Sequence, residues 1–344
     1  MQAEPNKKTS VAVIGAGISG AACALKLQTW GFDVQVYEKS RGASGRLSTR
    51  RTDLWSADHG AQYFTARNPL FIEQVNHWIE LGLVEEWQPK LGVYKDGSWS
   101  ESFSKDHRFV GIPEMTAPTK HLAKQLSVQY ETTICAMEKN NQGWTLSSLE
   151  HGPLLKQFDL VVLAIPSPQV DTLLKNVTGN LSELPQSLSI ATKSKMKSCW
   201  TMMVHFPHQS SFQFDAAFIN QEPIAWIARN STKPKRAGLD YWTVHASPEW
   251  SDVNLELAKE DVSAELLACM EKLDFNTLDA QVTMHRWRYA SGGLEPMIEY
   301  HYSPVDGLGF CGDWLHGGRV EGAWLSGMKL ANRIITDCAP HLNK

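Results

Sequence analysis

The chain has 344 residues, of which 42% are hydrophobic, and 33 Lys and Arg stand against 37 Asp and Glu for a formal net charge of −4. A chain of this length exceeds one simple core, so we expect two domains, and the lack of any block of Lys or Arg argues against a nucleic-acid partner. The polar start is followed by a short apolar run broken by glycines, which predicts a soluble protein without a signal peptide or membrane span.

Apolar periodicity predicts a series of elements along the chain. In chain order these are a strand at 11–14, a helix at 20–30, a strand at 34–37, a helix at 70–83, antiparallel strands between about 84 and 110, a helix at 121–126, a strand–turn–strand at about 132–148, a buried strand at 160–165, an antiparallel sheet at 195–250, a strand at 309–311 and a helix beginning near Val320. The uncharged run at 160–165 is typical of a strand inside a parallel sheet.

The last elements repeat the pattern of the first, so the opening and closing segments are expected in one discontinuous domain. The predicted fold class is α/β, with a Rossmann-like FAD/NAD(P)-binding domain and an α+β second domain built on an antiparallel sheet. We assign residues 10–75, 115–165 and 305–340 to the dinucleotide domain, and residues 76–114 and 166–304 to the substrate domain.

The cysteines show no CxxC pair or close spacing, which predicts free thiols in a reducing compartment and therefore a cytoplasmic location. The six are Cys23, Cys135, Cys199, Cys269, Cys311 and Cys338. His205 and His208 have a spacing that can suit a metal, but they flank Phe-Pro at a predicted strand end, so no metal site is expected.

A dinucleotide fingerprint lies directly after the first predicted strand. Gly15 allows a tight turn, Gly17 lets a pyrophosphate approach the backbone, and Gly20 lets the helix pack close to the strand. The helix amides then hold the phosphates, and Ser19 can add a hydroxyl donor. Glu38 ends the second strand, where a carboxylate accepts hydrogen bonds from a ribose; it disfavours a 2′-phosphate, so FAD or NAD is predicted rather than NADP.

Three later segments favour FAD over NAD. The run from Lys39 to Arg46 is suited to cap a pyrophosphate, and Gly60-Ala61 can pass its backbone along a flat ring. Asp313 follows a strand and suits ribityl hydroxyls, while the helix from Val320 can aim its free amides at the flavin N1/O2 edge. The predicted FAD-binding residues are Gly15, Gly17, Ser19, Gly20, Glu38, Lys39, Arg46, Gly60, Ala61, Gln62, Ile134, Asp313, Val320, Glu321 and Ala323.

These segments resemble the renalase family of flavoproteins, its bacterial branch most of all, within the amine-oxidase-like, hydroxybenzoate-hydroxylase-type fold. The resemblance covers nearly the whole chain; it is carried by the glycine loop, 39–46, 60–67, 226–230 with Lys233, 285–290, and 311–327. It implies an enzyme that oxidises the 1,2- and 1,6-dihydro isomers of NAD(P)H to NAD(P)⁺. The hydride passes to flavin N5, and O₂ then takes the electrons to give H₂O₂.

Oxidising a dihydropyridine releases no proton, so hydride transfer needs a positioned ring rather than a catalytic base. The pocket candidates are therefore side chains that could hold a nicotinamide. The candidates are Gln62, Trp226, His245, Trp287, Tyr289 and Trp314. Aromatic faces could stack on a nicotinamide, and His245 or Gln62 could bind its amide; ordinary core packing is the alternative for Trp226, His245 and Trp287. A further group is expected at the mouth of the pocket, where it could bind substrate phosphates; the alternative is that it forms a simple surface turn. This group consists of Arg229, Asn230 and Lys233.

Two other functions stay open. A flavin amine oxidase would oxidise amines against an aromatic cage, and in several relatives of that class a cysteine binds the flavin. The region 287–295 has no cysteine, so we expect non-covalent FAD. The second alternative is a flavoprotein that binds or senses redox cofactors without turnover. The expected partners are a small-molecule substrate and O₂.

Overall fold

The computed structural model describes residues 8–53, 55–207, 212–236, 239 and 241–342, with side chains up to residue 338. The α-helices of these residues are α1 Ile18–Thr29, α2 Pro69–Glu80, α3 Ala117–Ala123, α4 Ser167–Lys175, α5 Leu184–Lys193, α6 Pro248–Val253, α7 Lys259–Lys272 and α8 Val320–Leu342. Short 3₁₀ helices lie at Asn230–Thr232 and Asp313–Leu315. None of the helices described is both long and apolar enough to cross a membrane.

The strands lie before and between these helices, singly or in runs of three to five. In chain order they are β1 Ser10–Ile14, β2 Asp33–Tyr37, β3 Thr49–Arg51, β4 Ser56–Asp58, β5 Val84–Trp87, β6 Leu91–Lys95, β7 Ser98–Glu101, β8 Arg108–Gly111, β9 Val128–Gln129, β10 Ile134–Asn140, β11 Gly143–Ser148, β12 Gly152–Pro153, β13 Leu160–Leu163, β14 Thr178–Gly179, β15 Lys195–His205, β16 Ala216–Gln221, β17 Ile224–Arg229, β18 Trp242–Ala246, β19 Gln281–Gly293, β20 His301–Ser303 and β21 Leu308–Phe310.

The chain divides into two compact units. The first holds the residues up to Gly45, Pro118–Met196 and those from Gly292 onward; the second holds Arg46–Ala117 and Lys197–Ser291. The first unit contains a six-stranded sheet in the order β20-β21-β13-β1-β2-β9, and the second a seven-stranded sheet in the order β19-β15-β18-β17-β16-β6-β7. The mixed α/β class with a Rossmann-like domain and a sheet-rich second domain is therefore confirmed.

The first unit is built on parallel strands, as the uncharged run at 160–165 predicts. β1 pairs in parallel with β2 and β13, and β13 pairs in parallel with β21. Every residue of β1 and β13 is buried. The sheet is covered on both faces, with Leu27 of α1 and Ile334 of α8 on one side and Trp144 and Phe158 on the other. A strand that is covered on both faces favours apolar residues at every position, which explains the uncharged sequence of β13.

The second unit covers one face of its sheet with helix α7. Val262, Leu266 and Met270 of α7 pack on strand residues that include Ile227 and Val244. The patterns described above do not predict α7, although its buried residues recur at helical spacing. Because successive residues of a strand point to opposite faces, the neighbours of these packed residues line the face away from α7.

The structure divides the chain differently from the predicted boundaries. Residues 46–75 belong to the second unit, because Thr243 Oγ1 donates to Asp58 O at 3.0 Å and the Asp58 amide donates to Asn230 Oδ1 at 3.4 Å. Residues 166–196 belong to the first unit, because α4 places Val170 and Leu173 in the same cluster as Trp144. The helix predicted at 121–126 is α3, which begins and ends earlier.

Candidate functional site

Two glycines of the fingerprint are required by packing within the first unit. Gly15 has φ +105°, and a Cβ there would lie 2.6 Å from Ala164 O. A Cβ on Gly20 would lie 2.1 Å from Gly15 O. Neither position accepts a side chain, because backbone atoms cannot give way as a flexible side chain can. The sharp turn and the close start of α1 therefore follow from these two residues.

At position 17, by contrast, no packing contact with the described residues requires a glycine. The φ of Gly17 is −70°, which any residue adopts, and a Cβ there would meet none of the described heavy atoms within 4 Å. Two residues along, Ser19 Oγ is buried with no hydrogen-bond partner among the residues described. An open approach to the backbone and an unsatisfied hydroxyl at the start of a helix suit an anionic ligand. The loop therefore fits a dinucleotide pyrophosphate.

Glu38 is buried and fixes the same loop. Its Oε2 accepts from the Ala16 amide at 2.8 Å, and its Oε1 accepts from the Ser40 amide at 2.8 Å. Each carboxylate oxygen can accept a second hydrogen bond, so a ribose can still be bound. Glu38 thus positions the glycine turn as well as offering acceptors. The other basic candidate of this segment, Lys39, is exposed.

The C-terminal string packs against the same turn. A Cβ on Gly327 of α8 would lie 2.2 Å from Ser19 O, so α8 crosses α1 at backbone contact. Before α8, the carbonyl of the buried Asp313 accepts from the amides of His316 at 2.9 Å and Gly318 at 2.8 Å. The remaining first-unit candidates lie at element starts and are half-buried or buried: Ile134 opens β10, and Val320, Glu321 and Ala323 open α8.

The other predicted flavin-contacting residues lie in the second unit, where the structure brings them together. A Cβ on Gly60 would lie 1.9 Å from Arg46 O, and the Ala61 amide donates to that same carbonyl at 2.9 Å. The Arg46 guanidinium donates to Ala290 O at 3.2 Å. Gly60 is therefore required by the close passage of two backbone segments.

A buried ionic cluster forms around Asp58, two residues before Gly60, and no pattern in the sequence predicts it. Asp58 Oδ2 lies 3.2 Å from Lys233 Nζ and 2.6 Å from Arg236 Nη2, and the side chains of Asp58 and Lys233 are fully buried. Asp58 Oδ1 accepts from Thr49 Oγ1 at 2.6 Å. We call Asp58, Lys233 and Arg236 the ionic cluster; its two cations exceed its one carboxylate.

Burial and charge act in opposite directions on the pKa values of this cluster. Burial raises the pKa of Asp58, but Lys233 and Arg236 outweigh it and bring that pKa well below its ordinary value. Burial lowers the pKa of Lys233 to about 8, although Asp58 opposes the change. Lys233 and Asn230 are thus buried and paired, which corrects their predicted place at a pocket mouth; Arg229 is half-buried beside them.

Gln62 is locked by the same cluster. Its Nε2 donates to Asp58 O at 2.6 Å and to Gly60 O at 3.1 Å, while its Oε1 accepts from Lys233 Nζ at 3.0 Å. Both amide hydrogens are used and the side chain is buried. Gln62 therefore shapes the segment 58–62, and the second acceptor site of its Oε1 is left for the predicted contact with a substrate amide.

An aromatic group in the second unit centres on His59, a residue that the sequence reasoning missed. The His59 ring stacks on Trp287 at 5.3 Å between centroids, and His285 meets both rings edge-on, at 4.7 Å and 4.3 Å. Trp287 Nε1 donates to His59 O at 2.9 Å. His285, Trp287 and Tyr289 alternate along β19 and so share one face, a spacing that could have identified His285.

His59, His245 and His285, here called the histidine cluster, are held neutral. Burial lowers the pKa of His59 to about 3, with further effect from the charges of His285 and Arg50. Burial likewise lowers the pKa of His245 and of His285 to about 4. At neutral pH the group therefore presents uncharged imidazoles.

Trp226 and His245 lie directly opposite each other on β17 and β18. Trp226 is buried, with Tyr63 at 5.7 Å between ring centroids. Trp314 differs from its prediction: it is buried in the core of the first unit, where its Nε1 donates to Ile165 O at 3.1 Å. His208 lies outside the described residues, and no group of His, Cys, Asp or Glu within them could hold a metal ion. The six cysteines are free.

Comparison with known proteins gives two family matches and distant relatives. The family described as flavin containing amine oxidoreductase matches residues 96–335, and a NAD(P)-binding Rossmann-like domain matches residues 13–77. Mouse (Mus musculus) renalase is 28% identical over 182 residues, covering 50% of this chain and 52% of renalase. The chain thus spans about half the length of that relative, and smaller shares of other curated proteins.

Two solved structures have the same fold. A putative protoporphyrinogen oxidase from Exiguobacterium sp. 255-15 matches with a TM-score of 0.76 and 13% identity, over 97% of this chain and 100% of the other. Cyclohexylamine oxidase from Brevibacterium oxydans IH-35A matches with a TM-score of 0.74 and 13% identity, over the same shares. At these identities the likeness shows the fold alone.

Proposed function

The chain belongs to the flavin-containing amine oxidoreductase family, and from that premise we propose that it is an FAD-dependent oxidase of dihydronicotinamide isomers, of the renalase type. Its substrates would be the 1,2- and 1,6-dihydro forms of NAD(P), and its products NAD(P)⁺ and H₂O₂. The observation that carries the proposal is the neutral histidine cluster around Trp287. That group is suited to bind a flat uncharged ring, and its imidazoles are too weakly basic to take a proton at neutral pH.

The first unit supports the choice of cofactor. Gly17 leaves its backbone open, Ser19 Oγ lacks a partner among the residues described, and Glu38 has spare acceptor capacity. These three groups would hold the pyrophosphate and a ribose of FAD. When bound, FAD would accept the hydride as a two-electron acceptor, and O₂ would reoxidise the reduced flavin with formation of H₂O₂.

The second unit supports a substrate that loses a hydride without losing a proton. A neutral imidazole with a pKa of about 3 or 4 is too weak a base to deprotonate an ammonium at neutral pH. A dihydropyridine becomes aromatic on hydride loss, so no proton has to be removed. The task left to the protein is to hold the ring and exclude water. Trp287, fixed by its bond to His59 O, is suited to stack on it.

The net positive charge of the ionic cluster favours a dinucleotide substrate over an amine. The ionic cluster has two cations and one carboxylate, all buried. An excess positive charge in a low-dielectric interior repels a cationic amine. It attracts a dinucleotide, which carries phosphates. Burial is the main reason why the pKa of His245 is lowered, and the charge of Lys233 lowers it further.

Anaerobic rapid mixing with borohydride-generated isomers of NADH tests the proposal. We expect the flavin colour to bleach within the mixing experiment and to return in air, with H₂O₂ formed in proportion to substrate. Bleaching by amines and not by the isomers would instead indicate an amine oxidase. No response to either would indicate a flavoprotein that binds or senses redox cofactors without turnover.

A further inference from the structure

We propose that His245 and Trp226 form a recognition pair for a primary carboxamide and that they reject a carboxylate in its place. The inference rests on the proposed function, because the carboxamide it would read is that of the dihydronicotinamide ring. It adds a specificity that the reaction itself does not require, since the carboxamide takes no part in hydride transfer.

The two side chains share one face of the sheet. Trp226 and His245 are register partners on antiparallel strands, where opposite residues project to the same side with Cβ atoms about 5 Å apart. Val244 and Ala246, which flank His245, pack in the core under α7. His245 and Trp226 therefore point to the opposite face, away from that core.

Each of the two offers one unpaired polar atom. His245 Nε2 and Trp226 Nε1 are both buried, and neither has a hydrogen-bond partner among the residues described. Leaving such an atom unsatisfied costs a folded protein stability, so a pair of them on one face indicates a ligand that completes them.

The two atoms have opposite hydrogen-bonding character. The indole Nε1 only donates. The His245 ring makes a hydrogen bond to the backbone of His59, and burial keeps the imidazole neutral, so the remaining Nε2 is a bare acceptor. A primary carboxamide matches this pair: its oxygen accepts from Trp226, and its NH₂ donates to His245. A carboxylate can satisfy Trp226 but meets the lone pair of His245, and an ammonium group can satisfy only His245.

Binding measured by titration calorimetry on the FAD-loaded protein tests the pair without turnover. The probes are NAD⁺, which carries the carboxamide, and its deamido form, nicotinic acid adenine dinucleotide, which carries a carboxylate. We expect NAD⁺ to bind at least tenfold more tightly than the deamido form. Equal affinities, or tighter binding of the carboxylate, would overturn the inference.

Four variants assign the preference to these atoms. Trp226→Phe removes the donor and keeps a ring; His245→Asn keeps a group at the Nδ1 position, facing His59, and removes the Nε2 acceptor. Trp226→Phe removes a donor that both probes use, so we expect it to weaken the binding of both about tenfold. We expect His245→Asn to weaken NAD⁺ binding about tenfold and not to weaken deamido binding, because the lone pair that opposes the carboxylate is removed. His245→Gln, which restores an acceptor near the Nε2 position, should recover most of the loss. Trp78→Phe, which deletes another buried and unpaired indole N–H outside this group, is the control and should change neither affinity.

The outcomes separate this inference from the proposed function. If the dihydro isomers bleach the flavin but the two dinucleotides bind equally, the oxidase proposal stands and the recognition pair is refuted. If the isomers fail to bleach the flavin but NAD⁺ is still preferred and His245→Asn abolishes that preference, the pair stands and the oxidase proposal fails. An equal loss in Trp78→Phe would show that the effect is structural, which also refutes the pair.

Discussion

The substitution Gly17→Ala separates a glycine kept for a ligand from glycines kept for packing. The added methyl group meets no described protein atom within 4 Å, and φ at Gly17 is −70°. At Gly20 the same methyl group would lie 2.1 Å from Gly15 O. We therefore expect Gly17→Ala to fold normally and to bind FAD poorly, and Gly20→Ala to be damaged before any ligand is added.

The magnitudes follow from these distances. In Gly17→Ala, a more ordered unfolded chain adds about 0.4–1 kcal/mol of stability, and loss of a favourable N-cap residue removes a similar amount. The net change in unfolding free energy is thus under about 1 kcal/mol. A methyl group forced into the space of the pyrophosphate costs about 1–3 kcal/mol of binding, or roughly 5- to 150-fold in affinity. Gly20→Ala should lose about 1–3 kcal/mol or more of stability.

Two measurements check this contrast. Urea unfolding of the apoproteins gives the stability of each variant, and titration of the apoprotein with FAD gives its affinity. Wild type and Gly17→Ala should unfold alike, while Gly17→Ala requires much more FAD for saturation. If Gly17→Ala retained wild-type FAD affinity, the open space at Gly17 would have no role in cofactor binding and the reasoning would fail.

Three further predictions concern the second unit. Asp58→Asn leaves two buried cations without their carboxylate and should lower the free energy of unfolding by about 3–5 kcal/mol, measured in urea. Lys233→Met leaves Asp58 paired with Arg236 and should lower it less. The reverse order would contradict the role of the ionic cluster. The histidine cluster has folded pKa values below the ordinary 6.5, so the unfolded chain binds more protons and stability should fall as the pH falls from about 6.5 to 4. His285→Asn should reduce that slope by about one proton; an unchanged slope would refute the assignment. Trp287→Ala should slow flavin bleaching by dihydro isomers with FAD retained, and loss of the flavin would make Trp287 structural.

Local patterns were enough to predict the Rossmann-like half of the chain. The strand at 11–14, the glycine turn and the acidic end of the next strand lie within one βαβ unit, where each residue's role follows from its neighbours in the sequence. The apolar run at 160–165 likewise indicated a strand covered on both faces. The return of the pattern near Val320 predicted that the two ends of the chain share a domain, and the structure groups the residues up to Gly45 with those from Gly292 onward.

The limits of the two units could not be predicted in the same way. Residues 46–75 follow the fingerprint in sequence, but the hydrogen bonds of Asp58 to residues more than 170 positions away place them in the second unit. Such contacts have no local signature. The buried residues of α7, Val262, Leu266 and Met270, recur at helical spacing. That spacing alone was not enough to predict the helix; the sheet that these residues pack on shows why they are apolar.

The residues that can bind a dinucleotide are recognisable from the amino-acid order alone, because turn conformation, helix start and strand burial are set by neighbouring residues. Whether each polar side chain is buried, hydrogen-bonded or unpaired depends on the folded structure. Lys233 and Gln62 look exposed in the sequence but are buried and hydrogen-bonded to each other in the fold, while His59, which no pattern singles out, contacts Trp287 and His285. Partners supplied by distant segments, and the burial they create, fix whether a polar atom is satisfied or left to bind a ligand.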